Sequence, residues 1–256
     1  MSSPTWTPAA LASEAAPWAG ECWRVVESQH AASTMKLVDT IDEQALLEDI
    51  LEDSKPPVPR DCRHLDYLLY TPFRYRNRHG GSRFRPPDEP RGVFYAAAEL
   101  RTALCEAAFW RLLFFAESPH TPWPDAPLEH TSFAVRIEAT RAIDLRQPPF
   151  AAHDELWSRP DDYAPCWQLA DSARQAGLEA IRYRSVRDPG GGMNIALFSC
   201  AAFRDDKPHR RRNWKMFMKS TGVIIMDASG GGERLALPRH DFAHDPRTAA
   251  MNWRRG

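Results

Sequence analysis

The chain has 256 residues, 43% of them hydrophobic and 26% charged, and 33 basic against 34 acidic residues leave a net charge of −1. That size and balance fit a globular chain able to bury its own core, and they exclude a disordered segment and a globally basic nucleic-acid coat. The longest uncharged, mostly apolar run, 193–203, is about half the roughly 20 residues of a membrane helix, and no basic-then-apolar leader opens the sequence, which predicts a soluble, cytoplasmic protein.

Residues 1–21, rich in Ala and Pro, are predicted to be a flexible N-terminal tail. A helix is signalled at Thr40-Ile41-Asp42-Glu43, where Thr caps the first turn and Glu reaches back to it; it is expected to bury Leu47, Ile50 and Leu51 and to stop at Pro56-Pro57. A polar, Arg-rich loop is predicted over 71–91. Gly92 then releases Val93-Phe94-Tyr95-Ala96-Ala97, apolar on both faces and so a buried strand, followed by a helix over 99–115. Alternation across 132–138 turns Phe133, Val135 and Ile137 inward on a half-buried strand. A helix over 166–176 ends at Gly177, the glycine cap position, and short strands are expected at 178–184, 194–199 and 222–227. Residues 227–256, with Gly230-Gly231-Gly232, read as a C-terminal tail. The organisation is thus one domain over 22–226 between two tails. Strands and helices mix without a βαβ rhythm, which predicts α+β: a single mixed α/β domain.

Absent motifs narrow the chemistry. The chain has no GxGxxG after a strand, no GxxxxGK[ST], no HExxH and no GxSxG, and its nine histidines show no metal-ligand spacing. Five scattered cysteines without a CxxC spacing argue against a disulfide scaffold or a zinc ribbon. Lysine fills only positions 36, 55, 207, 215 and 219 of the 33 basic residues, and arginine fills the rest.

Two features carry chemistry. Between Phe73 and Arg91 stand Arg74, Arg76, Arg78, Arg83 and Arg85, interleaved with Tyr75 and Phe84. Guanidinium forks bind phosphate in a bidentate way and stack on aromatic rings, so such a loop suits a nucleotide diphosphate, although a solvated charged loop is the simpler reading for most of its arginines. Arg83 stands apart, because Gly80-Gly81-Ser82 allows close backbone approach just before it. Glu106 is the second feature. At helical spacing it shares a face with Thr102, Ala103, Phe109, Trp110 and Leu113, where a carboxylate is partly desolvated and needs a partner. That partner is either a structural arginine or a bound ligand. Leu104, Ala108 and Phe115 on the opposite side predict a helix buried on both faces.

Four ordered pieces carry a resemblance: Trp23-Arg24-Val25-Val26; Gly81-Ser82-Arg83-Phe84; Val93-Phe94-Tyr95 with Thr102-Ala103-Leu104-Cys105-Glu106; and Gly177 to Arg187 with Asn194-Ile195-Ala196-Leu197-Phe198. Over about 22–200 the chain resembles the RES domain, a family named for its Arg, Glu and Ser residues that forms the toxin half of Xre–RES toxin–antitoxin pairs. The resemblance implies an ADP-ribosyltransferase-like fold and cleavage of NAD+ by hydrolysis or phosphorolysis. NAD+ is then a substrate, phosphate a candidate co-substrate, and neither cofactor nor metal is implied. The implied partner is an Xre-like antitoxin, through which alone nucleic acid would be met; no membrane is involved, and a homo-oligomer is left open.

By motif position the resemblance assigns catalysis to Glu106, Arg24 and Tyr95, and NAD+ binding to Arg24, Arg83, Tyr95, Ser185 and Asn194. The functional serine is either Ser185 or one near the start of the preceding helix, 164–168, where this sequence has none. Val25 replaces a tyrosine common in the family, and the long spacing from Arg24 to Arg83 implies an inserted helix and loop. The expected chemistry is consistent: losing nicotinamide puts positive charge on the ribose, which the Glu106 carboxylate stabilises, while Arg24 and Arg83 clamp the pyrophosphate and Tyr95 packs on nicotinamide or ribose.

Three alternatives stand beside this. An ADP-ribosyltransferase modifying a protein or nucleic acid would use nearly the same residues. A nucleic-acid-binding module would rest on the 73–91 loop and His209-Arg210-Arg211-Arg212, against which the near-zero net charge counts. A degenerate, inactive family member is opposed by the intact Arg24, Arg83, Tyr95 and Glu106.

Overall fold

The computed structural model describes residues 6–28, 40–75 and 80–254. Among these residues eight strands form one sheet: β1 (Ala16–Glu27), β2 (Phe94–Ala97), β3 (Leu128–Asp144), β4 (Ala180–Arg184), β5 (Met193–Leu197), β6 (His209–Lys219), β7 (Gly222–Asp227) and β8 (Arg234–Pro238). Their order is β1-β2-β5-β4-β3-β6-β7-β8, and β1 also pairs with β3 from Ala16↔Ala142 to Glu27↔His130, closing a five-strand circuit. β3 serves three neighbours. Its first half pairs with β6, its last residues run parallel to β4, and β1 runs antiparallel to it over most of its length. This explains why the strand expected over 132–138 is much longer. Phe133, Val135 and Ile137 are buried as predicted.

The N-terminal tail expected over 1–21 is instead structured from its first described residues. Thr7 caps helix α1 (Pro8–Ser13), with Pro8 pre-set in the first turn, and Leu11 is fully buried. β1 follows at residue 16. The Ala/Pro composition suggested a tail because what orders this segment, its pairing with β3, lies more than a hundred residues away. The C-terminal tail expected over 227–256 is corrected likewise. Gly230 and Gly232 adopt positive φ in the β7–β8 hairpin loop, and Phe242, Met251 and Trp253 are buried against Phe115, Trp214 and Ile225. The domain therefore runs past both expected boundaries.

Helix α2 (Ile41–Asp53) closes the predicted capping box, Thr40 and Glu43 each accepting from the other's backbone N–H. Its apolar stripe is not buried, however: Ile50 and Leu51 are exposed and Leu47 half-buried. An ion pair between Glu52 and Arg74 at 2.6 Å ties the helix to the body. α2 lies between Arg24 and Arg83, the stretch in which the resemblance implied a helix and loop. Helix α3 (Tyr67–Arg74) takes the beginning of the expected 71–91 loop, while Arg76 and Arg78 lie outside the described residues.

Helix α4 (Leu100–Glu117) is buried on both sides along most of its length, as its composition predicted, but Trp110 on the Glu106 face and Phe114 are exposed. Leu104, Phe109 and Leu112 pack with Trp214, Met216 and Ile225, each such side chain contributing about 1.5–3 kcal/mol when removed from water. Helix α5 (Ala164–Gln175) ends at Gly177, whose φ of +68° is the left-handed cap conformation. A last short helix, α6 (Pro246–Ala249), is capped by Asp245. Cys62 and Cys200, 138 residues apart, form a disulfide that their spacing did not announce. None of the helices among the described residues is long and apolar enough to cross a membrane.

Candidate active site

A cleft of about 610 Å³ opens between β1, β2, α4 and the turn at Gly81–Arg83, and Arg24, Arg83, Tyr95, Glu106 and Asn194 all line it. Five of the six residues that the sequence singled out thus converge, from segments spread over 170 residues. The sixth, Ser185, is 2% exposed and stands behind Glu106.

Glu106 sits in the second turn of α4, its face set by Thr102, Phe109 and Leu113, which anchor the helix in the core. Its Oε1 accepts from Ser185 Oγ at 2.7 Å and from Asn194 Nδ2 at 2.5 Å. Both bonds fall on one oxygen, which leaves Oε2 without a partner among the described residues. No arginine pairs with Glu106 among those residues either, so the structural ion pair considered from sequence is not what holds it. Ser185 Oγ also accepts from the backbone N–H groups of Arg187 and Asp188 at 3.2 and 3.1 Å, which fixes its one proton toward Glu106. Asn194, in β5 between β2 and β4, is nearly fully buried, and its Oδ1 has no partner among the described residues. Gly192 allows the loop before it to close, since a Cβ there would lie 2.1 Å from Thr102 Oγ1.

Arg24 reaches in from β1. Its Nη1 donates to the Tyr95 carbonyl at 2.7 Å, its guanidinium lies 4.9 Å from the Phe94 ring, and its buried Nε has no partner among the described residues. Burial lowers its pKa to about 10, still cationic at neutral pH. The Tyr95 hydroxyl bonds Ser82 Oγ at 2.8 Å and accepts from Phe84 N at 3.0 Å, and burial pushes its pKa up to about 12. With Trp167 Nε1 donating to Ser82 O at 2.8 Å, Tyr95 holds the turn that presents Arg83. Gly81 has φ +70°, and a Cβ on it would stand 2.9 Å from Arg85 O, so the glycine expected to admit a ligand serves the turn's own backbone.

Arg83 is 7% exposed, donates to Trp157 O at 2.5 Å and stacks 4.8 Å from the Tyr163 ring. Its neighbours in the Arg-rich segment are engaged elsewhere: Arg74 with Glu52, Arg85 with the carbonyls of Tyr75 and Glu89, Arg91 with Glu89. The second basic run, His209 to Arg212, lies on β6, where Arg210 pairs with Glu21, Arg211 with Asp66, and Arg212 with Asp227 and Glu233. Among the described residues neither run offers the array of free cations that a nucleic-acid surface needs.

Sequence reasoning missed Arg187, Tyr163, Trp23, Trp110 and His130, which also line the cleft. Two of them carried a signal: Arg187, as the basic residue two positions after Ser185, and Trp110, as a neighbour of Glu106 on one face of α4. Tyr163, at the start of α5, and Trp23 and His130, on β1 and β3, face the cleft through pairing and packing with distant segments.

A protein-family model described as the RES domain matches residues 58–218, which include Arg83, Tyr95, Glu106, Ser185 and Asn194 but not Arg24. A search of curated proteins gives no match. Among solved structures, the crystal structure of the M. tuberculosis MbcT-MbcA toxin-antitoxin complex is similar with a TM-score of 0.46 and 13% identity, covering 78% of this chain and 90% of that chain.

Proposed function

The chain belongs to the RES domain family, and from that premise we propose that it is an NAD+-degrading toxin, breaking the nicotinamide–ribose bond and neutralised in the cytoplasm by an Xre-like antitoxin. The observation that carries this is the setting of Glu106. Two donors hold one oxygen of its carboxylate and leave the other free, in a cleft where Arg24 and Arg83 have no carboxylate partner among the described residues. A fixed carboxylate facing unpaired cations suits a ligand that is anionic along its length and becomes cationic at one carbon.

In this reading water, or phosphate, attacks C1′ of the nicotinamide ribose as the C–N bond breaks. The bonding pair leaves with nicotinamide, which departs neutral because its ring was cationic, and no acid is required. Attacking water loses its proton to solvent and yields ADP-ribose; phosphate yields ADP-ribose 1″-phosphate. Glu106 stabilises the oxocarbenium character between bond breaking and bond making, and because its orientation is set before substrate arrives, little reorganisation is left for the transition state. Incubating the purified, partner-free chain with NAD+, with and without phosphate, tests the reading by chromatography. Nicotinamide release is expected; unchanged NAD+ in both conditions from folded protein refutes it.

A further inference from the structure

Arg187 leaves β4 into the loop 185–192 and is almost wholly buried, yet it lines the cleft. Its guanidinium lies 3.6 Å from the Phe109 ring centroid. Nη1 donates to Asp245 Oδ2 at 2.6 Å, and Nη2 to the Tyr163 hydroxyl at 3.1 Å and to the Pro160 carbonyl. Asp245 is fully buried, and Arg247 claims it too, with Nη2 on Oδ2 at 2.8 Å and Nε on Oδ1 at 3.1 Å. Burial alone would raise the Asp245 carboxyl, but the hydrogen bond from Arg247 and the charge of Arg187 hold it below the ordinary range, so it is ionised. One carboxylate therefore serves two guanidinium groups, and the triad keeps one positive charge.

Tyr163 joins this triad to the expected site, since Arg83 stacks on its ring while Arg187 bonds its hydroxyl. Two positive charges thus flank one tyrosine at the cleft wall, mostly removed from water, with no further carboxylate paired to either among the described residues. Such charges are costly to bury unless an anion completes them. Arg24, by contrast, is turned onto the Tyr95 carbonyl and the Phe94 ring on the β1 side.

We propose that Arg187 and Arg83, on either side of Tyr163, form a diphosphate-binding subsite, and that the C-terminal segment sets its charge through Asp245 and Arg247. Naming the diphosphate as part of a dinucleotide rests on the NAD+ reading; the anion subsite does not. Arg187 is then a binding residue, and Asp245 and Arg247 are positioning residues that lie beyond the matched 58–218 region.

Calorimetric titration of the full chain with inorganic pyrophosphate, ADP and adenosine tests this. Pyrophosphate and ADP are expected to bind, and Arg187→Lys, which keeps the charge but loses the fork, to weaken ADP about 10-fold or more with little effect on adenosine. If Arg187→Lys does not fold, Arg247→Gln decides. It leaves Asp245 paired one-to-one with Arg187 and removes the surplus charge by changing a residue that does not itself line the cleft. It also gives up the Arg247 Nη2 bonds to the Pro160 carbonyl at 3.0 Å and the Tyr163 hydroxyl at 3.5 Å, while Arg187 keeps its own bond to that hydroxyl, and it is expected to weaken pyrophosphate several-fold. No pyrophosphate binding by the wild type, or equal binding by the folded variants, overturns the subsite. NAD+ cleavage with variant-insensitive pyrophosphate binding refutes the subsite and spares the enzymatic reading; variant-sensitive binding without NAD+ cleavage supports the subsite and refutes that reading.

Discussion

Ser185 donates its hydroxyl proton to Glu106 Oε1 at 2.7 Å while its oxygen accepts two backbone N–H groups of the following loop. The serine is therefore a relay between a loop and a carboxylate. Its motif position implied contact with NAD+; from its burial and its hydrogen bonds we propose that it aims Glu106.

That relay predicts a paired effect. Ser185→Ala removes a hydrogen bond to a charged group, worth about 1.5–3 kcal/mol, and strands two buried N–H donors, each costing about 1–3 kcal/mol. Turnover is expected to fall about tenfold or more with KM nearly unchanged, and the melting temperature to fall with it. Steady-state kinetics and thermal unfolding on one preparation check this. A raised KM with unchanged kcat would return Ser185 to direct substrate contact.

What was legible in the sequence follows from how local its cause is. The capping box at Thr40–Glu43, the cap at Gly177 and the alternation at Phe133, Val135 and Ile137 depend on neighbours within a few residues, and all three appear in the fold. β1 and the buried Phe242 and Trp253 depend on partners far along the chain, and both ends read as tails. The burial expected of α2 failed for a related reason: amphipathic spacing says which face is apolar, not whether anything covers it. At the site, Arg24, Arg83, Tyr95, Glu106 and Asn194 were identifiable as residues, whereas their wiring was not. The triad of Arg187, Asp245 and Arg247 spans about sixty residues and leaves no local pattern.

Among its described residues the Arg-rich segment divides into one cleft arginine and several structural ones, which predicts unequal substitutions. Arg83→Ala is expected to weaken NAD+ binding about 10- to 100-fold, the loss of one desolvated charged contact, with some loss of stability because Trp157 O loses its donor. Arg91, half exposed and paired with Glu89, should matter little to binding when changed to Ala. Isothermal titration against NAD+ compares them. Equal losses would mean that the segment acts as a diffuse charged surface.

His130, buried on β3 beside the cleft, should tie stability to pH. Burial lowers its pKa below the ordinary 6.5, with the charge of Arg111 acting the same way and the hydrogen bond to Leu128 O opposing. The unfolded chain then binds a proton more readily than the folded one. This contribution is complete above about pH 6.5 and is lost as pH falls through the depressed folded value, at no more than about 1.4 kcal/mol per pH unit for one proton. Melting temperatures across that range are expected to decline for the wild type and to flatten in His130→Gln. Parallel curves for the two proteins would place the titration elsewhere.

Glu106→Gln is the most discriminating substitution. Gln keeps the volume, and its amide oxygen can still accept from Ser185 and Asn194, so the local network is preserved while the charge is removed. No guanidinium pairs with Glu106 among the described residues, so the change leaves no uncompensated buried cation behind, and the melting temperature should hardly move. If the carboxylate stabilises charge that develops only as nicotinamide leaves, kcat falls by about 10²-fold or more while NAD+ affinity stays near wild type. In cells without antitoxin the same variant should relieve growth arrest. The contrary pattern, a lowered melting temperature with full turnover by the folded fraction, would make Glu106 a structural residue. A stable variant that binds NAD+ and cleaves it at the wild-type rate would remove Glu106 from the chemistry, because nothing else about the network has been changed.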